Sequence, residues 1–195
     1  MRREVLSKSY PGLPRDVKVV VAPNEADIPD PRLKALFDRW KTNHLVTKHG
    51  RVSKDIIEEA EFLPLLRNVM LLEIERPTPF EFDYVYRIYG VEIAERYSQD
   101  MTGKRTSNFP SPVAKLFLDL YEIAIDCRAP LYSEHAPPLN VDVVLWERLI
   151  LPLGDEAVDW ILTVNLPKGS RKKAEQESEA KAVKPSGEQA VFYLD

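Results

Sequence analysis

The chain has 195 residues, 44% of them apolar and 30% charged, with a formal net charge of −4. That is the balance of a soluble globular domain with extensions, and it argues against nucleic acid as a partner, where affinity comes from neutralising phosphates. A lone cysteine, Cys127, excludes an intramolecular disulfide, and no run approaches the ~20 apolar residues that span a bilayer.

The start, MRREVLSKSYPGLPRD, carries positive charge with no apolar stretch behind it, so it does not read as a secretory signal and a cytoplasmic location is expected. Residues 1–30 read as an extended, proline-punctuated arm in which VKVVVAP (17–23) can add a strand. Asp30 and Pro31 form a helix start, and Leu33, Leu36, Phe37, Trp40 and His44 then recur at helical spacing, giving an N-terminal amphipathic helix. Ser53 can cap a second helix carrying Ile56, Ile57 and Ala60 and ended by Pro64. From about residue 68 the period becomes that of strands. NVMLLEIER and EFDYVYRIYG flank PTPF as an antiparallel hairpin, with Phe82, Tyr84, Tyr86 and Ile88 on one side and Asp83, Val85, Arg87 and Tyr89 on the other. A short helix is expected near 91–97 and a longer one over SPVAKLFLDLYEIAIDCRA. Three strands follow, at about 130–137, 142–153 and 157–165, the last two joined by a turn at GDE (154–156). Beyond Pro167 the composition is charged and mixed in sign, reading as a flexible, solvated tail over 167–195, with AVFYLD at its end apolar enough to dock.

The predicted fold class is α+β, with two strands, several helices and three more strands. Leu36 and Trp40 in the first helix, YRIYGV (86–91), YSQDMTG (97–103) and ERLILPL (147–153) follow one another in an order that resembles a bacterial single-domain PAS-like family. Val91 stands where that family commonly has threonine. The resemblance covers about residues 31–166. It implies a five-stranded antiparallel PAS-like sheet with helices inserted after strand two, and a sensory or regulatory role without catalysis. The glycines of the quoted stretch then have work to do: Gly90 lets the chain leave its strand without a Cβ clash, Gly103 resets direction, and Asp100 and Thr102 form a local turn.

Tyr84, Tyr86, Tyr97, Phe117, Tyr121, Glu147, Leu149 and Trp160 are the candidates for a ligand pocket, with an ordinary packed core as the alternative. Strand alternation places Glu147 with Leu145, Leu149 and Leu151, and puts Arg148 and Arg87 on the other face. Val144, Trp146 and Ile150 on that other face need a cover, supplied by the Leu36–Phe37–Trp40 helix or by a second copy; a homodimer is expected. The three histidines, His44, His49 and His135, lack zinc spacing, and no glycine-rich phosphate loop occurs. No metal and no particular cofactor is implied. The expected function is a stand-alone sensory module that binds a small molecule, a signalling protein, or both. The alternatives are a small enzyme using Glu147 or Asp159 as base, and a ligand-free structural interaction protein.

Overall fold

The computed structural model describes residues 2–46, 54–78, 81–109, 113–154, 157–174 and 176. Its frame is one antiparallel sheet of seven strands: β1 (Glu4–Lys8), β2 (Val17–Val21), β3 (Val69–Thr78), β4 (Glu81–Tyr89), β5 (Leu131–His135), β6 (Leu145–Leu153) and β7 (Trp160–Lys168), ordered β1-β2-β5-β6-β7-β3-β4. The helices α1 (Pro31–Val46), α2 (Val91–Tyr97) and α3 (Val113–Cys127) fall in two groups, after β2 and after β4. The α+β class holds, but the five-stranded PAS-like sheet with helices after strand two does not. The arm is part of the sheet: β1 pairs with β2 in the register Glu4↔Val21 to Lys8↔Val17, and β2 pairs with β5 from Lys18↔Glu134 to Val21↔Leu131. Val17, Val19, Val20 and Val21 are all buried, so the run VKVVV brings enough apolar surface to extend the sheet.

Both faces of the sheet are covered. On one side α1 lays Leu33, Leu36, Phe37 and Trp40 over Val20, Tyr132, Leu149, Leu151, Leu162 and Val164. Asp30 starts that helix, accepting from the Arg32 backbone N–H at 2.9 Å, and the Trp40 indole donates to the Pro152 carbonyl at 3.0 Å. His44 stacks on Trp40 with ring centres 4.7 Å apart, closing the stripe. Two 3-10 stretches, Lys54–Glu58 and Ala60–Asn68, complete this layer with Ile56, Ile57, Phe62 and Leu65. The expected α-helix is therefore replaced by tighter turns with Pro64 inside one of them, as a residue lacking an N–H disrupts the i to i−4 ladder. Ser53, its expected cap, and His49 lie outside the described residues.

On the other side α3 packs Leu116, Phe117, Leu120, Tyr121 and Ala124 against Met70, Leu72, Tyr84, Tyr86, Ile150 and Ile161. Gly90 links β4 to α2, where an added Cβ would overlap the Arg67 carbonyl oxygen and sit 2.9 Å from that of Val69. Gly103 has φ +76°, a left-handed value that glycine tolerates, and Asp100 Oδ1 accepts from the Thr102 N–H at 2.8 Å and hydroxyl at 2.7 Å. The head of the tail is fixed rather than solvated. Ser170 bonds Asp142 at 2.9 Å, and Arg171 donates to the Val143 and Pro137 carbonyls, each at 2.8 Å. AVFYLD lies outside the described residues, as does part of the GDE turn. Among the described residues no helix is long and apolar enough to cross a membrane.

Candidate functional site

The side chains on the α3 face of the central strands are unusually polar for a core. Register decides this. Arg148 on β6 sits opposite Ser133 of β5 and Asn165 of β7, while Ile150 sits between Leu131 and Thr163. Directly paired residues of an antiparallel ladder share a face, so Ser133, Arg148 and Asn165 form one polar row across three strands. His135 and Trp146 form the next pair along. Arg148, Ser133 and Thr163 are fully buried and His135 is 2% exposed.

Arg148 is held from two directions. Its Nε donates to Asn165 Oδ1 at 2.7 Å, and the guanidinium lies over the Phe117 ring of α3, 4.2 Å from the centroid, a cation–π contact in a dry setting. Its two terminal nitrogens, Nη1 and Nη2, have no hydrogen-bond partner among the described residues. The same holds for the Ser133 and Thr163 hydroxyls, the Tyr84, Tyr86 and Tyr121 hydroxyls, His135 Nδ1 and Trp146 Nε1. Buried polar groups are ordinarily satisfied, and each unmet one costs about 1–3 kcal/mol, more when charged.

The electrostatics are those of one uncompensated positive charge. Burial, and then the Arg148 charge, hold the His135 imidazole well below its ordinary pKa, so it is neutral at pH 7. Burial pushes the Tyr97 and Tyr121 phenols upward, with Arg148 opposing that rise. Burial also raises Tyr86, whose hydroxyl lies near Tyr121 and Thr106 without reaching good hydrogen-bond geometry. The aromatic wall is continuous: Tyr84 meets Tyr121 edge-on at 5.0 Å, Phe117 meets Phe109 at 5.5 Å, and Tyr97 stacks on Trp146 at 6.3 Å. We refer to this buried cluster of side chains between sheet and α3 as the Arg148 chamber.

Of the pocket residues expected from sequence, Tyr84, Tyr86, Phe117 and Tyr121 are brought together there, with Tyr97 partly buried at its margin. Glu147, Leu149 and Trp160 are not. Leu149 packs under α1, and Trp160 leans on the same layer with Lys54 4.5 Å over its ring. Glu147, 4% exposed, accepts from Tyr132 at 3.0 Å and from Lys168 at 2.8 Å, both away from the chamber. Asp159 is half exposed and pairs with Arg76 at 3.3 Å, so the two carboxylates share no cavity. Strand β6 thus presents faces opposite to those expected: Trp146 and Ile150 look toward α3, and Val144 lies just before the strand, partly buried. The cover over the other face is this chain's own α1. Leu36, Phe37 and Trp40 are 1%, 3% and 5% exposed, so they serve the core and offer no dimer face.

Arg148, Asn165, Ser133 and Thr163 were not anticipated as site residues. The signal for Arg148 was present: in DVVLWERLILPL both alternating sets are apolar, so a strand buried on both faces must bury its arginine too. Among the described residues no three His, Cys, Asp or Glu side chains gather as metal ligands would, and Cys127, partly buried, is raised in pKa by burial and by Asp126. Comparison of the chain with family models, with curated proteins and with solved structures finds no match, so the chamber's role has to be argued from its own atoms.

Proposed function

We propose that this chain is a sensory or regulatory module that binds a small molecule in the Arg148 chamber and passes on its occupancy by association, without chemistry of its own. The observation that carries this reading is the concentration of buried, unpartnered polar atoms around Arg148 Nη1 and Nη2 in an otherwise aromatic interior. A core selected only for packing would fill these positions with hydrocarbon, because unmet polar groups cost stability. A ligand that meets them recovers that energy on binding. Chemistry is disfavoured by the residue set around Arg148: burial depresses the basicity of the His135 imidazole and the acidity of the phenols. The motif order YRIYGV, YSQDMTG and ERLILPL, with its resemblance to bacterial single-domain PAS-like proteins, supports a sensory role.

A ligand signals when it binds one arrangement of a protein better than another. Here α3 is the element to be biased, since its Phe117 covers Arg148, its Tyr121 meets Tyr84 of the sheet, and the two rings stack on each other. The partner is a second copy or a signalling protein in the cytoplasm, met through surfaces other than α1, which is spent on the core. Native mass spectrometry of protein purified from cells, beside the denatured sample, tests the reading. A small molecule lost on denaturation is the expected result. A bare chain whose melting temperature no compound of a metabolite library raises would overturn it. Light scattering at micromolar concentration, with and without that molecule, tests association.

A further inference from the structure

We infer that the molecule taken by the Arg148 chamber is a monocarboxylate with an apolar or aromatic body, its carboxylate gripped end-on by Arg148 Nη1 and Nη2. This rests on the ligand-binding reading above and adds the chemical class. Three observations lead to it.

The free edge of the guanidinium selects the shape. Nε is spent on Asn165 at 2.7 Å and the ring of Phe117 covers one face at 4.2 Å, leaving the Nη1–Nη2 end. Two parallel N–H groups in one plane fit two oxygens of a planar carboxylate. Charge selects the valence. Among the described residues of β5, β6 and β7, Arg148 contributes the single formal charge on this face, since burial keeps His135 neutral and Glu147 with Lys168 lie on the other side of the sheet. One negative charge balances it; a phosphate dianion would leave a charge buried and unpaired. Composition selects the body: Tyr84, Tyr86, Phe109 and Tyr121 offer aromatic walls, while the unpartnered Ser133 and Thr163 hydroxyls suit further oxygen atoms beside the carboxylate.

Calorimetry and melting temperature with acetate, benzoate, phenylacetate, hexanoate and decanoate, each beside its neutral amide, test the inference, with phenyl phosphate as the anion control. The expected result is that at least one carboxylate binds the full chain about 30-fold or more tightly than its amide. Arg148→Met should abolish that preference, and Arg148→Lys, which keeps charge but loses the fork, should retain part of it. Should Arg148→Met fail to fold, the acid-against-amide comparison on the unmodified chain decides alone. Amides binding as well as acids, or phenyl phosphate binding best, would overturn the carboxylate while leaving the module reading intact. If no probe binds and no molecule leaves on denaturation, both fall.

Discussion

A guanidinium without a carboxylate, 0% exposed, is a costly side chain to bury, and its partners define what it can do. Asn165 satisfies one of its N–H groups and Phe117 one face of its charge, which leaves the two terminal nitrogens without a partner among the described residues, an unbalanced expense. Removing both members of the pair should therefore strengthen the empty protein. Arg148→Met with Asn165→Leu is expected to raise the unfolding free energy by about 1–3 kcal/mol, since neither partner is then left orphaned. Urea unfolding at unchanged slope reads this directly; a weaker double variant would mean the charge is already compensated. His135 makes a second residue-scale case. Its folded-state pKa is depressed by burial and by Arg148, so between that value and about 6.5 the unfolded chain binds a proton that the folded chain refuses. Stability then rises with pH, is complete above about 6.5, and falls by up to ~1.4 kcal/mol per pH unit below it. Between pH 7.5 and 5.5 the parent should lose about 1.4 kcal/mol more than His135→Gln. Parallel losses would place the imidazole in water.

The elements differ in how openly the sequence declares them. In α1 the spacing of Leu33, Leu36, Phe37 and Trp40 is a sufficient signal, because one helix face meets one sheet face and the others meet water. Period two is a poorer guide in this sheet. In β4 the register slips, Leu72 facing Tyr86 and Leu71 facing Ile88; Arg87 is the extra residue of a bulge. Tyr89 is thereby returned to the Tyr86 side, 5.1 Å from it edge-on, and Ile88 is sent under the α1 layer. In β6 both alternating sets are apolar, so alternation alone cannot say which looks toward α3, and Arg148 was assigned to the wrong side for that reason. Gly90 is the opposite case, legible as a tight exit and tested by Gly90→Ala, whose methyl would overlap the Arg67 carbonyl. Backbone cannot yield as a flexible side chain does, so a loss of about 1–3 kcal/mol is expected in urea unfolding; an unchanged midpoint would show that the Ala60–Asn68 turn moves freely. The arm makes the larger claim. Deleting residues 2–22 removes four buried valines and bares the edge of β5. At ~1.5–3 kcal/mol per buried valine, as an upper estimate, the remainder should be unfolded or aggregated in size-exclusion chromatography. A monomeric truncation with the parent's melting temperature would make the arm an accessory.

At the scale of the whole molecule, a sheet covered on both faces leaves its polar chamber with no open mouth onto solvent at Arg148. Such an arrangement follows from small decisions that no single sequence window holds: two arm strands lengthen the sheet, α1 seals one face, and α3 seals the other. The proposed ligand site is correspondingly a property of register, joining Ser133, Arg148 and Asn165 from three strands. Its chemistry was half visible in the tyrosines of β4 and half hidden in residues whose meaning depends on which neighbour they face. Enclosure has a kinetic consequence. On the proposed reading, entry requires the α3 side to part from the sheet before the guanidinium is reached, so the step that admits a molecule would belong to the protein. Trp146 reports on it, since its ring stacks on Tyr97 at the margin of the chamber while Trp40 and Trp160 lie against the other face. In a Trp40→Phe, Trp160→Phe chain, stopped-flow fluorescence with a binding monocarboxylate should show an observed rate that levels off as concentration rises, the plateau being the opening rate in the microsecond-to-second range. A rate climbing linearly with a slope of about 10⁶ M⁻¹s⁻¹ or more would mean that the site meets solvent without opening, and that the barrier between Arg148 and water has no part in the proposed sensing.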